Sequence, residues 1–447
     1  MNEATVETIR RAPAVSAGSK EDPRENRITR ALSGYVRLTP VLWALGLLAP
    51  LGMALLSGSL LRNARDKRVG TTVFLWWFVG FMQAISVLVN WFDSGSSTWY
   101  LLYRLGSATV SGWLFLGAAI GVGRIYRLNS PKVVRAICVL GLYLLVLGSL
   151  SIGIGLVSGI EKLSITSPVG LLLPRDLPAT EYAFTMNFFT YEEILGKRIP
   201  RLILFYPWAV CLGFAGIAIC FIALCEKRLL WKRIGFSGGV MAVVGSMSRA
   251  AVIALVVTGV LYLWQTWHPR YRWATISLLC IIPVTIVYLD MPVMRHVAQF
   301  YDSVADLRQG SSDARQAGYY ESKRRFLRSP LIGHGWPGEY LSDTIPMPVG
   351  SHSTVYGLLY TGGLFTFIPF CIAMLWTLAA LFWRARSRDP AARSALSIAV
   401  ALSILCYGEG IYSFSIPVLF AFCWMGAALR PNNTDTFPAR LPEQATT

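Results

Sequence analysis

Apolar stretches of about twenty residues recur along most of the chain, each long enough to cross roughly 30 Å of hydrocarbon as a helix. They fall near 39–61, 71–92, 106–123, 136–158, 201–225, 234–247, 249–267, 273–290, 352–383, 395–411 and 412–429. Of 447 residues, 54% are hydrophobic and only 15% charged, too little polar surface for a water-soluble globule. The expected fold class is an all-α polytopic membrane protein of about 11–12 transmembrane helices.

The net charge of +17 does not point to nucleic acid, because its location is wrong for a basic groove interleaved with aromatic residues. The basic residues gather in short connectors: "RNARDKR" (62–68), "RIYRLNSPKVVR" (124–135), "EKRLLWKR" (226–233) and "RARSRDPAAR" (384–393). Such loops face the cytoplasm under the positive-inside bias. With the last three placed there, the later spans alternate properly, but working backward leaves the arginine-bearing N-terminus outside. Either a broken or re-entrant span is hidden in the first hundred residues, or the tail does not set the orientation. Both termini are expected inside.

The expected organisation is a disordered cytoplasmic tail over 1–38, a transmembrane domain over 39–429 and a cytoplasmic tail over 430–447. No cleavable signal peptide precedes the first apolar run. All eight cysteines lie in apolar runs without CxxC spacing, so they read as packing residues rather than zinc ligands or disulfides. Two outward segments, about 159–200 and 290–351, exceed simple connectors, and loops of that length usually carry function. Within the second, 312–330 reads as an amphipathic helix starting at a Ser312-Asp313 cap and ending before Pro330.

Several residues in or beside these segments can carry chemistry. His352 stands among hydroxyl residues where a span begins. A helix starting there would aim free N–H groups at the outer loop, a ready anion site, with an imidazole beside it as base; equally, His352 and Ser353 can simply cap the span. Arg249, in "GSMSRAAVIALVV" (245–257), lies between two apolar runs. It must face a wet cavity or an anion, or mark an outer hairpin turn, since mid-bilayer burial costs about 2.5–3.5 kcal/mol. Lys197, Arg198 and Arg201 stand at the mouth of a span. Asp313 and Arg315 open the 312–330 helix, and Lys323, Arg324, Arg325 and Arg328 read mostly as its solvated face. Gly333 and Gly335 bracket His334 as a tight turn with φ > 0. Glu409, between glycines at an outer hairpin, is either an exposed turn or a second carboxylate of the site. The chain has no P-loop, DxD pair or HExxH. Arginines with a histidine and no metal motif suit a substrate that brings its own phosphates and leaving group.

In order and spacing these residues resemble the O-antigen ligase and polysaccharide polymerase superfamily of bacterial inner-membrane glycosyltransferases. The resemblance covers roughly 190–430 and rests on Ser248-Arg249-Ala250-Ala251, Asp313-Ala314-Arg315 with Tyr319 and Tyr320, Pro330-Leu331-Ile332-Gly333-His334-Gly335, and His352 followed by "LLYTGGLFTF". It implies a GT-C-like fold in the inner membrane, without metal or other cofactor, acting at the periplasmic face on an undecaprenyl-pyrophosphate-linked glycan and an acceptor glycan or lipid. By that resemblance Arg249 and Arg201 bind the pyrophosphate, with Arg198 and Arg315 as further candidates. His352 activates or positions the acceptor hydroxyl, with Glu409, His334 and Ser353 as accessory residues. Membrane lipids, a chain-length regulator and a flippase are the implied partners. Two positions depart from the family pattern: Pro207-Trp208 stands where Pro-Asn is frequent, and Ser353 where asparagine often follows the histidine.

Polymerase and ligase share this machinery, and the sequence around His352 leans to a polymerase. A lipid-linked oligosaccharide flippase is the reading from another class, but no matching halves of the kind transporters carry are visible.

Overall fold

The computed structural model describes residues 23–61, 69–126, 128–172, 184–194, 197–267, 271, 309–342, 345–387 and 389–430. Its main helices are α1 (Pro23–Arg37), α2 (Leu48–Leu61), α3 (Gly70–Ser94), α4 (Thr98–Tyr126), α5 (Pro131–Ser158), α6 (Ala209–Ala223), α7 (Leu229–Gly245) and α8 (Arg249–Thr266). They continue with α9 (Gln309–Phe326), α10 (Thr354–Ala385), α11 (Pro390–Leu405) and α12 (Leu419–Ala428). Helices α3, α4, α5, α8 and α10 are long and apolar enough to cross a membrane, and α2, α6, α11 and α12 are shorter apolar helices. The chain is an all-α polytopic membrane protein. The expected span at 273–290, Cys280 within it, the connector 62–68 and the tail 431–447 lie outside the described residues.

Helix α6 is apolar all round and every one of its residues is buried, as a central helix must be. It packs against α5, α7 and α11. Helices α5 and α7 meet through glycines: a Cβ added at Gly238 would lie 1.9 Å from the Gly141 carbonyl oxygen. Small residues allow such approach where lipid provides no hydrophobic drive between helices. The seven described cysteines are unpaired, and five are buried.

Two small sheets cap the end away from the basic connectors. Strands β1 (Lys162–Thr166), β2 (Thr185–Ile194) and β3 (Lys197–Leu204) form an antiparallel meander in that order. Strands β4 (Tyr340–Ser342) and β5 (Ile345–Pro348) form a hairpin.

The first hundred residues resolve the topology conflict. Residues 23–37, expected in the disordered tail, form α1, whose Ile28, Leu32 and Val36 are buried. Glu25 lies 3.8 Å from Arg430, and Lys132 reaches Asn26 at 3.4 Å, so α1 begins at the basic end. By Gly46 the chain has reached Ser167, Val169 and Phe184 at the opposite end. Helix α2 then returns, leaving Ser59 beside Tyr126. The apolar run 39–61 is thus the end of one traverse and the whole of another. Hydropathy missed the first because α1 is amphipathic rather than apolar.

Leucine at Gly238 should drive α5 and α7 apart. Overpacking of this kind costs about 1–3 kcal/mol, read as a lower unfolding temperature in detergent; an unchanged transition would show that the contact is not tight.

Candidate active site

Helix α10 is broken near its start. Gly363 has φ 60° and ψ −163°, which frees the carbonyls of Tyr360 and Thr361 and the N–H groups of Leu364 and Phe365. The segment Pro330–Gly335 takes up all four. The N–H groups of Leu364 and Phe365 donate to the Pro330 and Leu331 carbonyls at 2.9 and 3.0 Å, and those of His334 and Gly335 donate to Tyr360 and Thr361 at 2.8 and 2.7 Å. Gly333 and Gly335 carry positive φ, as expected of the turn. A Cβ at Gly333 would come within 2.6 Å of the Gly363 nitrogen, so backbone approaches backbone with no room for a side chain.

Helix α3 supports this docking. The Ser86 hydroxyl sits 2.6 Å from both the Ile332 and Thr361 carbonyls. Gln83 donates to Gly335 at 3.1 Å and Asn90 to Gly333 at 3.1 Å. These residues were not singled out from the sequence. Their spacing at i, i+3 and i+7 in an apolar span was the available signal. His334 stacks on Tyr360 at 4.6 Å, and its Nε2 lies 3.0 Å from the Arg325 carbonyl. It belongs to this scaffold.

Helix α9 then clamps the start of α10 to the α11–α12 turn, through Arg315, Tyr319 and Ser322 on one face. Arg315 donates to the Glu409 carboxylate at 2.9 Å and to the Gly408 carbonyl at 3.3 Å. Tyr319 donates to the His352 carbonyl at 3.3 Å, and Ser322 accepts the Gly350 N–H at 2.9 Å. The described helix already includes Gln309 to Ser312, so the expected Ser312-Asp313 cap falls inside it rather than at its start. Lys323 and Arg328 are exposed as expected, while Arg324 and Arg325 pair with Glu321.

Glu409 is 3% exposed, so the exposed-turn reading is corrected: it is a buried carboxylate paired with Arg315. Burial pushes its carboxyl up, opposed by the charges of Arg315 and Arg201. His352 keeps part of its surface open to water. Crowding around its ring, and then the Arg315 charge, hold the imidazole below its ordinary value.

Of the two readings of the helix start, the cap is the one observed, and the first helical N–H groups are taken. The Thr354 and Val355 N–H groups donate to the Cys406 carbonyl, and Tyr356 donates to the Ser353 hydroxyl. Ser353 is a buried N-cap. The same bonds stitch His352 to the Glu409 turn, helped by Thr354, whose hydroxyl donates to the Glu409 carbonyl at 2.6 Å.

Arg201 joins this cluster from β3. Its Nη1 donates to Glu192 at 2.9 Å and its Nε to the Ser246 carbonyl at 3.0 Å. Burial, followed by repulsion from Arg315, pushes its guanidinium down, while Glu409 raises it. Arg198 points elsewhere: it is exposed, pairs with Glu161 at 3.2 Å and lies over Tyr191. Three residues along a strand place two side chains on opposite faces. Arg249 is the first residue of α8, partly exposed, behind the Ser248 N-cap and three residues after the carbonyl that Arg201 holds. The hairpin-turn location is therefore observed, and Arg201 binds the turn.

Only three non-glycine residues have positive φ among the described residues: Leu204, Met247 and His352. One follows Arg201, one precedes Arg249, and one is the histidine itself. Strained backbone of this kind costs about 1–3 kcal/mol per residue and concentrates at functional sites. Tyr319 stacks on Tyr356 at 4.7 Å, and Tyr407 meets both edge-on, giving an aromatic surface beside His352. No group of three or more His, Cys, Asp or Glu side chains able to hold a metal occurs among the described residues.

Residues 234–371 match the family model described as O-antigen ligase. The matched stretch contains Arg249, Arg315, His334, His352 and Ser353, whereas Arg198, Arg201 and Glu409 lie outside it. No curated protein matches the chain.

Alanine at Glu409 strands the Arg315 charge, at an expected cost of about 2–4 kcal/mol, between exposed and fully buried pairs. Arg315→Met combined with Glu409→Leu should recover most of that loss in detergent unfolding; simple additivity would show the two groups uncoupled.

Proposed function

We propose that this chain, which belongs to the O-antigen ligase and polymerase superfamily through its residues 234–371, is a polysaccharide polymerase. It transfers an undecaprenyl-pyrophosphate-linked glycan onto a hydroxyl of another lipid-linked repeat unit. The observation that carries the reading is the gathering of His352, Arg315, Glu409 and Arg201 at the end opposite the basic connectors. With those connectors in the cytoplasm of a bacterial inner membrane, the site faces the periplasm.

In this reading the acceptor hydroxyl attacks the anomeric carbon of the donor sugar. The carbon–oxygen bond to the pyrophosphate breaks, its electron pair leaves with the phosphate oxygen, and His352 takes the hydroxyl proton. A positioned general base contributes about 10²–10⁴-fold. The lowered imidazole pKa keeps His352 neutral, and so able to accept a proton, at neutral pH. Arg201 and Arg315 retain guanidinium hydrogens beyond those already bonded, and guanidinium forks match phosphate oxygens. Arg249 stands at the same turn to stabilise the leaving group, an effect as large as base catalysis. Tyr319, Tyr356 and Tyr407 supply rings for sugar faces.

The description of the matching family favours one second reading, transfer of the finished glycan to lipid A-core or another acceptor. Both readings use the same donor and the same base.

His352→Ala and Arg249→Ala should each lower glycan transfer by at least about 10²-fold with membrane insertion unchanged; full activity in both removes the assignment. The pH profile is a finer test. Activity requires neutral His352, so it is lost as pH falls through a pKa below the ordinary imidazole value. Arg315→Gln removes a charge that lowers this pKa, so the acid limb should move to higher pH. An acid limb that stays in place would mean that His352 is not the titrating group.

A further inference from the structure

A second cavity, of about 550 Å³, opens at the basic end, far from His352 along α10. Its size lies in the range of small-molecule sites. Three connectors form its rim, and none of the site residues above line it.

The charges of this cavity are unbalanced. Its two acids are already committed. Glu226 accepts two hydrogen bonds from Arg135, at 2.9 and 2.8 Å, and one from the Arg228 N–H at 3.0 Å. Asp389 caps α11 by accepting the Ala391 N–H at 3.0 Å. Arg37, Lys132, Lys227 and Arg228 remain on the wall, without an acidic partner among the described residues. Like charges facing one cavity repel, and an anion between them relieves that repulsion.

A second, independent observation comes from the floor. Trp424 lines the cavity at 1% exposed, and its indole N–H is buried with no hydrogen-bond partner. The Ser130 hydroxyl, between the lining residues Asn129 and Pro131, is likewise buried and unpartnered. Buried donors are normally satisfied, and each one left open costs about 1–3 kcal/mol. Val134 and Ala391 add apolar side chains to the same lining.

From the stranded indole N–H, the cationic rim and the apolar floor, we propose that this cavity binds a phosphate-bearing anion, separately from the glycan-transfer site. The rim cations and the indole hold the phosphate oxygens. The apolar floor and the position of the cavity at a membrane-facing end suit the headgroup of an anionic lipid of that leaflet. A free phosphate would use the same donors.

The test uses the full chain in neutral detergent, with bound species counted by native mass spectrometry. Dihexanoyl-phosphatidylglycerol, dihexanoyl-phosphatidylcholine and inorganic phosphate are the probes. The expected result is saturable retention of the phosphatidylglycerol and not of the phosphatidylcholine. Trp424→Phe, which removes the N–H together with the five-membered ring of the indole, should weaken retention about tenfold, and Lys227→Gln with Arg228→Gln, which leave the floor intact, should weaken it as well. Displacement by millimolar inorganic phosphate would identify a soluble phosphate as the occupant, and no displacement a lipid headgroup; both support the site. Equal retention of the two lipids, no retention of any anion, or retention unchanged in both variants overturns it.

Discussion

A helix that crosses lipid cannot leave backbone groups unpaired, and α10 breaks its own hydrogen-bond ladder at Gly363. The four groups it frees are taken up by Pro330–Gly335, and much of the site follows from that exchange. The docked segment fixes where α9 ends, and α9 carries Arg315 and Tyr319 to the Glu409 turn and to His352. The glycine pattern before and after the break is needed because two backbones meet there with no space for a Cβ. The polar stripe of α3 completes the bonding from a third helix.

The second constraint is charge. Arginines held near the end of a bundle, away from bulk water, are tolerable only with partners, and each central guanidinium here has one: Glu192 for Arg201 and Glu409 for Arg315. Both retain guanidinium hydrogens beyond those bonded, which the proposed function assigns to a pyrophosphate. Arg315 has two roles in this scheme. It secures the Glu409 turn, and it lowers the proton affinity of His352.

Much of this was legible in sequence where the signal was local. Length and hydropathy give the membrane class, and the positive φ of Gly333 and Gly335 follows from the turn they form. What was hidden depended on tertiary context. Helix α1 carries too many polar residues for a hydropathy window, so a traverse went unseen. Glu409 reads as exposed because its flanking glycines signal a turn, whereas the fold buries it and pairs it with Arg315, 94 residues away. Arg198 and Arg201 look equivalent in a list of cations, and only strand alternation separates them. The N–H groups at the start of α10 look available until the Cys406 carbonyl is placed against them.

The most direct measurement of the proposed function is the product pattern from purified protein given a lipid-pyrophosphate-linked repeat unit from the same cells as the sole substrate. The account predicts a ladder of longer lipid-linked glycans, missing when His352 is replaced by asparagine. A ladder of equal intensity from that variant, or intact repeat unit from the native chain both alone and with a lipid A-core acceptor, would contradict it.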